Sequence, residues 1–332
     1  MIKIFNNINI FIIMEKLVND LKKSTDQYNF INNLSVSQLE EIYQYTNEKY
    51  RNDNPVISDN LYDMIEDFLK LKFPKSKLLK EIGAKVKNKN KVELPYHLGS
   101  MDKIKPPSNK LNGWKKKYVD KDTTIVWSEK LDGVSALLVY DNNKMFLYTR
   151  GTATEGTDIT NLIKYLNLPT YDKMLKYVTN KKLKGKKKLI AFRGELIIPN
   201  NIFNKKWKAT KKNARNTVSG LVNSKTINPE LAADTKLVLY EVVDPNLPIL
   251  EQFEVIKDNK MDCVHFKIIE NSKFLSYDYL SKYLVKRKVK SKYDIDGIIV
   301  TTNDLHKRNT KGNPEYAFAF KDILEDQKAI ST

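Results

Sequence analysis

Two periodicities divide the chain: a helical one near its start and a two-residue one from about Thr123. In the helical part, Leu39, Ile42, Tyr43 and Thr46 share one helix face, and Ser37 with Glu40 has the spacing of a capping box. A second helix is expected from Asp59, where Leu61, Ile65, Phe68 and Leu69 have core spacing and Phe73-Pro74 marks the stop. A polar, lysine-rich connection from about Lys75 to Val92 follows. Ahead of these helices, Met1 to Met14 is apolar but interrupted by asparagine. It is too short to span a bilayer and lacks the small-residue cleavage site of a secretory signal. It reads as an upstream extension, with Met14 as the alternative start.

From Thr123 the alternation predicts strands at Thr123–Glu129, Val134–Tyr140, Met145–Tyr148, Lys188–Ile198, Lys236–Val243, Gly297–Thr302 and Tyr316–Lys321. Asp141-Asn142-Asn143 reads as a hairpin turn. Helical or irregular stretches separate several of the others, which argues for an α+β class on antiparallel sheets and against a regular βαβ repeat. Two domains are expected, a helical one over 1–92 and a sheet domain over 93–332.

Charge changes the picture next. Lys and Arg outnumber Asp and Glu by 58 to 40, a net +18 that favours a polyanionic partner, nucleic acid first. A lysine-rich surface that only keeps the chain in solution is the other reading, and the run from Lys181 to Lys188 suits a solvated loop equally well. The single cysteine, Cys263, excludes an intrachain disulfide and a Cys-rich zinc module. His97, His265 and His306 show no metal-ligand spacing. A reducing intracellular location, without secretion or a membrane span, fits these features.

Four stretches could carry chemistry. Lys130-Leu131-Asp132-Gly133 lies where one strand ends and the next begins. A lysine amine attacks only when neutral, so burial or nearby cations would have to activate it; alone, the pattern reads as well as an exposed lysine before a turn. Arg193-Gly194-Glu195 sits inside an apolar strand, where alternation puts Arg193 and Glu195 on one face and Phe192, Leu196 and Ile198 on the other. That carboxylate could bind ribose or a metal, or the two could be a simple ion pair. Asp296, before Gly297-Ile298-Ile299-Val300, puts a carboxylate at the mouth of a buried strand, suited to Mg²⁺ beside phosphate or to a plain strand-start turn. In Tyr316-Ala317-Phe318-Ala319-Phe320-Lys321 the aromatics fill a core while the alanines leave room beside Lys321, a phosphate contact or a solvated strand end.

Taken in order, these motifs resemble those of the covalent nucleotidyltransferases, the group of DNA ligases, RNA ligases and mRNA capping enzymes. Three further stretches resemble the NAD-dependent DNA ligases in particular: Thr149-Arg150-Gly151 with Gly156-Thr157-Asp158-Ile159-Thr160, Asn213-Ala214-Arg215-Asn216 with Gly220, and Pro55 to Asp63. The resemblance runs from about residue 36 to 325. It implies a small helical domain that binds nicotinamide mononucleotide, followed by an ATP-grasp-like nucleotidyltransferase domain of antiparallel sheets with flanking helices. It implies NAD as AMP donor, Mg²⁺ as cofactor, and a monomer acting on nicked double-stranded DNA in replication or repair. By the same resemblance Lys130 is the nucleophile, with Asp132 in its motif. Ser100 and Met101 line the adenine site, Tyr240 and Ile299 cover the two faces of the base, and Glu129 stands near it. Arg150 and Glu195 contact ribose, Asp296 and Glu195 face the metal, and Lys321 contacts phosphate. Arg215 meets the AMP phosphate or the DNA end, while Tyr50, Asp59, Tyr62 and Asp63 hold nicotinamide mononucleotide.

The chain also departs from that pattern. Ser128 stands where the family has an adenine-reading glutamate, Thr301 where it has a phosphate-binding lysine, Asn223 where it has a second arginine, and Lys49-Tyr50 where it has a Tyr-His pair. The motifs end near Lys321, ahead of the family's OB-fold, zinc, helix-hairpin-helix and BRCT domains. Such a piece is expected to adenylylate itself but seal nicks poorly. The competing readings are an ATP-dependent DNA or RNA ligase or capping enzyme, and a DNA-binding scaffold with a decayed site.

Overall fold

The computed structural model describes residues 2–51, 56–74, 76, 78, 91–183, 185, 187–224, 226–270 and 272–322, without the side chains of 2–12, 50, 51, 59, 60, 63 and 272. The chain forms two compact units, Met1–Lys89 and Asn90–Thr332. Among the described residues no helix is long and apolar enough to cross a membrane.

The first unit holds α1 (Ile2–Lys23), α2 (Gln27–Asn32), α3 (Val36–Arg51) and α4 (Asp59–Lys72). The first helix runs through Met14 without a break, and Met14, Val18 and Leu21 are its buried stripe. Leu39, Ile42 and Tyr43 of α3 pack with Leu61, Ile65, Phe68 and Leu69 of α4, as their spacing requires. α4 begins at Asp59 as expected, whereas the start of α3 differs by two residues. The capping box of α3 is Ser35 with Gln38: Ser35 N–H donates to Gln38 Oε1 at 3.0 Å, and Gln38 N–H to Ser35 Oγ at 3.3 Å. Ser37 lies inside the helix and donates to Glu41 Oε1 at 3.0 Å. Ser58 caps α4, accepting the Leu61 N–H at 3.3 Å, so Asp59 is the first helical residue. The Phe73 N–H closes the last turn on Leu69 O at 2.8 Å, the stop that Phe73-Pro74 marks.

Among the described residues of the second unit the seven predicted strands form, with four further ones of three or four residues. In chain order these are β1 (Lys91–Glu93), β2 (Asp102–Ile104), β3 (Ile125–Leu131), β4 (Val134–Asp141), β5 (Lys144–Thr149), β6 (Glu155–Thr157), β7 (Ile190–Ile197), β8 (Lys236–Asp244), β9 (Phe266–Ile269), β10 (Ile295–Thr302) and β11 (Ala317–Phe320). β1, β2, β6 and β9 span three or four residues, too few for a period to show in sequence. One sheet has the order β2-β11-β10-β3-β9, a second β5-β4-β7-β8, and β1 pairs with β6. Among the described residues these strands pair antiparallel with one another except β11 with β2, and Leu239 of β8 adds an isolated parallel bridge to Cys263. The β4–β5 hairpin closes through Asn142 and Asn143 at φ 46° and 61°, the left-handed pair that a tight two-residue turn needs. The helices that flank the sheets are α5 (Lys110–Tyr118), α6 (Tyr171–Asn180), the short α7 (Asn200–Ile202), α8 (Ala214–Asn223), α9 (Pro229–Asp234), α10 (Ile249–Asp258) and α11 (Tyr277–Lys290).

The sheets share one core. Phe192 is fully buried there with Leu138, Tyr140, Leu196 and Val238, and it meets Tyr140 edge to face at 6.2 Å. Phe192→Ala should therefore cost about 3–5 kcal/mol, measured as a shift of the denaturant midpoint, whereas Ser35→Ala should cost about 1 kcal/mol.

Candidate active site

Strand parity and one irregularity build the centre of the site. β3 points Ser128 and Lys130 to one face and Glu129 and Leu131 to the other. β10 pairs with it through Ile295↔Leu131 and Gly297↔Lys130, which leaves Asp296 as an extra residue in a β-bulge. The bulge turns the Asp296 carboxylate onto Lys130, whose Nζ donates to Oδ1 at 2.8 Å and Oδ2 at 2.9 Å. Lys321, just beyond β11, reaches Asp296 Oδ2 at 3.0 Å. Gly297 lets that strand close in, because a Cβ there would lie 2.4 Å from Phe320 O. Along the same face, register aligns Ser128 with Ile299 and Ile299 with Ala319, so half-buried Ile299 and the small alanine lie beside Lys321.

Burial opposes ionisation of Asp296, yet the ammonium groups of Lys130 and Lys321 outweigh it and hold its carboxyl below the usual carboxylate range. Asp132 is paired with Arg215 Nη1 from the first turn of α8, whose start is capped by Asn213 Oδ1 accepting the Asn216 N–H at 2.7 Å.

The second sheet supplies the facing groups. On β7, Arg193 and Glu195 share a face, as alternation requires. β8 pairs through Arg193↔Glu241 and Gly194↔Leu239, which leaves Tyr240 as a second bulged residue and brings Tyr240 and Glu241 together beside Arg193. Tyr240 donates to Glu195 Oε1 at 3.1 Å and lies 3.2 Å from Ser135 Oγ, with the Arg193 guanidinium 5.7 Å from its ring. Burial raises the Glu195 carboxyl above its ordinary range, although Arg215, Arg193 and Lys130 pull the other way. Burial likewise raises the Tyr240 phenol. Glu195 thus feels Lys130 across the space between the two sheets.

The strip Leu98 to Met101 forms an edge of this site. Arg150 Nε donates to Leu98 O at 2.9 Å, Arg193 Nη1 donates to Gly99 O at 2.9 Å, and Ser100 N–H donates to Asn313 Oδ1 at 2.8 Å. Ser100 is exposed and Met101 half-buried.

Some expected members lie elsewhere. Glu129 is buried on the opposite face of β3, where its carboxylate accepts from Arg287 Nε at 2.7 Å and Ser291 Oγ at 3.0 Å; it ties α11 to the sheet and does not face Lys130. Consecutive strand residues point to opposite faces, so parity with Lys130 was the available signal. In the first unit Tyr62 stacks on Tyr43 with ring centroids 5.6 Å apart; the side chains of Tyr50, Asp59 and Asp63 lie outside the described residues. Glu241, Arg308 and Asn313 belong to the site's surroundings and were missed, because no motif marks them.

Among the described residues no group of three or more His, Cys, Asp or Glu side chains could hold a metal ion. Asp296 and Glu195 offer two carboxylates, and both Asp296 oxygens are engaged by lysines. That donor set suits Mg²⁺ bound mainly through phosphate oxygens, the usual habit of this ion.

Paired antiparallel sheets with flanking helices, carrying a lysine–carboxylate–lysine group on one face and an Arg-Glu-Tyr group on the other, define an α+β module of the adenylation-domain class. The chain belongs to the NAD-dependent DNA ligase adenylation domain family, whose model matches residues 87–323. A DNA ligase of Acanthamoeba polyphaga mimivirus is 40% identical over 308 residues, covering 92% of this chain and 46% of that protein. A DNA ligase of Fervidobacterium nodosum is 29% identical over 317 residues, covering 86% of this chain and 44% of that protein. The chain thus spans about half the length of the curated relatives it matches. Among solved structures, an archaeal ATP-dependent RNA ligase superposes with a TM-score of 0.43 at 9% identity, over 69% of this chain and 49% of that one.

The depressed Asp296 carboxyl has a consequence for stability. A group whose folded-state pKa lies below its unfolded value contributes stability that is complete above the unfolded pKa and is lost as pH falls through the folded one. Asp296→Asn should lower stability at neutral pH and flatten its decline below about pH 4, read from urea midpoints across that range.

Proposed function

We propose that this chain is the adenylation part of an NAD-dependent DNA ligase, with Lys130 as the residue that carries AMP. The observation behind the proposal is the Lys130–Asp296–Lys321 group at a strand bulge, in a chain of this family. In the reaction the Lys130 ammonium loses a proton to water, its neutral nitrogen bonds to the α-phosphorus of NAD, and a second proton passes to water as the phosphoramidate forms. The pyrophosphate P–O bond breaks, and nicotinamide mononucleotide leaves with the electron pair. Lys321 keeps Asp296 neutralised while Lys130 leaves that carboxylate, so the step strands no buried charge. Lys321 and Arg215 are the cations suited to the phosphates, Arg215 by exchanging Asp132 for phosphate. Tyr240 and Ile299 would pack on the base, with Ser100 and Met101 at its edge and Arg150 bracing that edge through Leu98. Ser128, on the face of Lys130, takes the position nearest the base that Glu129 does not occupy. Mg²⁺ would be held by Asp296 and Glu195 together with phosphate oxygens and would supply charge neutralisation. Residues 1–92 would form the helical domain for nicotinamide mononucleotide, with Tyr50, Asp59, Tyr62 and Asp63 as its contacts, and 93–332 the adenylyltransferase domain.

The acceptor would be the 5′-phosphate of nicked double-stranded DNA, bound by a monomer inside the cell. Charge supports this partner. From Lys205 to Pro229 the chain has seven basic residues and no acidic one. A groove of about 310 Å³ lies there, lined by Trp207, Lys211 and Lys212 together with Asn216 and Gly220 of the helix whose Arg215 meets Asp132. Trp207 Nε1 and Lys206 Nζ are fixed to Asp234 at 2.9 and 3.0 Å, which leaves the neighbouring lysines for a polyanion.

Intact mass after incubation with NAD and Mg²⁺ should show one adenylate on Lys130, with none from ATP and none in Lys130→Ala. A label from ATP alone would favour the ATP-dependent reading, and none from either a scaffold. In duplex binding, Lys211→Gln with Lys212→Gln should reduce the slope of log K against log salt by about 0.9 per lysine, measured by titration at several salt concentrations.

A further inference from the structure

Leu98 to Met101 has no strand or helix of its own to fix it. Its position depends on groups brought from elsewhere, and several come from the connection between β10 and β11. Gly312 O meets His97 Nε2 at 3.0 Å, and Asn313 accepts the Ser100 N–H while donating to Asp102 Oδ1 at 2.8 Å. The approach is close enough that a Cβ on Gly99 would sit 2.4 Å from Gly312 O.

The same connection also reaches the strip from inside the sheet. Arg308 Nε donates to Glu241 Oε1 at 2.9 Å. The other oxygen of Glu241 lies 3.7 Å from Arg193 Nη1, which donates to Gly99 O. These side chains are only 10–22% exposed, so each charge leans on its neighbour more than on water. Burial disfavours the charged Glu241 carboxyl, but Arg308 and Arg193 hold it below the usual range. Arg193 feels a second carboxylate, Glu195. Its place on the Gly99 carbonyl is therefore a balance between two carboxylates, Glu241, whose pull Arg308 limits, and Glu195 toward the centre of the site. Arg308 shares the Glu241 charge and keeps that carboxylate from closing fully on Arg193.

We propose that Arg308 and Glu241 are positioning residues that act through Arg193 to fix the Gly99 carbonyl and the Leu98–Met101 strip, setting how tightly the adenosine half of the dinucleotide is bound. The inference rests on the reading above that this strip edges the adenosine site. Glu241→Gln frees Arg193 to turn to Glu195, and Arg308→Gln lets Glu241 draw Arg193 off the Gly99 carbonyl. Both release the strip without touching Lys130, Asp296 or Lys321.

The test uses the full chain with two readouts. In hydrogen exchange, both variants should speed exchange across 97–102 by about tenfold while the β4 and β7 amides keep their protection. In single-turnover adenylylation, the NAD concentration for half-maximal rate should rise about tenfold while the saturating rate stays within about twofold, and Arg308→Lys should restore part of the affinity. Unchanged exchange in the strip, a loss of protection throughout the unit, or a fall in saturating rate at constant half-saturation would overturn the proposal. A wild-type chain that takes no adenylate from NAD would refute the reading of the site, and exchange in the variants would still decide whether the relay holds the strip.

Discussion

One carboxylate shared by two lysines governs the arrangement of the site. Asp296 lies in a bulge, so its side chain leaves the normal alternation of β10 and meets Lys130 on β3 and Lys321 after β11. Two ammonium groups on one half-buried carboxylate form a set in which either lysine can leave without stranding the other charge. An ordinary one-to-one ion pair lacks this property, because removing one partner leaves an uncompensated buried group.

The facing sheet follows the same logic with opposite bias. Tyr240 is also a bulged residue, and its bulge gathers Tyr240, Glu241, Arg193 and Glu195 in a small volume. Here burial dominates for Glu195, whose carboxyl is raised, whereas two arginines dominate for Glu241, whose carboxyl is lowered. Two carboxylates on neighbouring strands thus differ in character because of their partners. Both bulges stand next to the residues singled out for chemistry, where an irregular strand can re-aim a side chain that a regular one would send to the wrong face.

Much of this was legible beforehand, and the gaps have specific causes. Arg193 and Glu195 stand in an apolar strand with strong alternation, so their shared face could be read, while Lys130, Asp296 and Lys321 were legible from short motifs at strand ends. Glu129 was misplaced because its nearness to Lys130 in sequence outweighed strand parity, and it serves instead as the anchor of α11. The capping box was placed two residues late because Ser35/Gln38 and Ser37/Glu40 have the same spacing, and only backbone geometry separates them. Arg308 and Asn313 lie in an irregular connection where no period exists to orient a side chain.

By itself the sequence determined the kinds of element, their order, the antiparallel character of the sheets and the lysine at the centre of the site. These depend on local spacing of apolar residues and on short motifs, information carried within a few residues of each position. Only the tertiary structure decided that Asp296 meets two lysines, that Glu129 faces away, and that Arg308 reaches Gly99 through Glu241 and Arg193. Those contacts join residues from tens to more than a hundred positions apart, and they depend on bulges and register set by the packing of whole sheets.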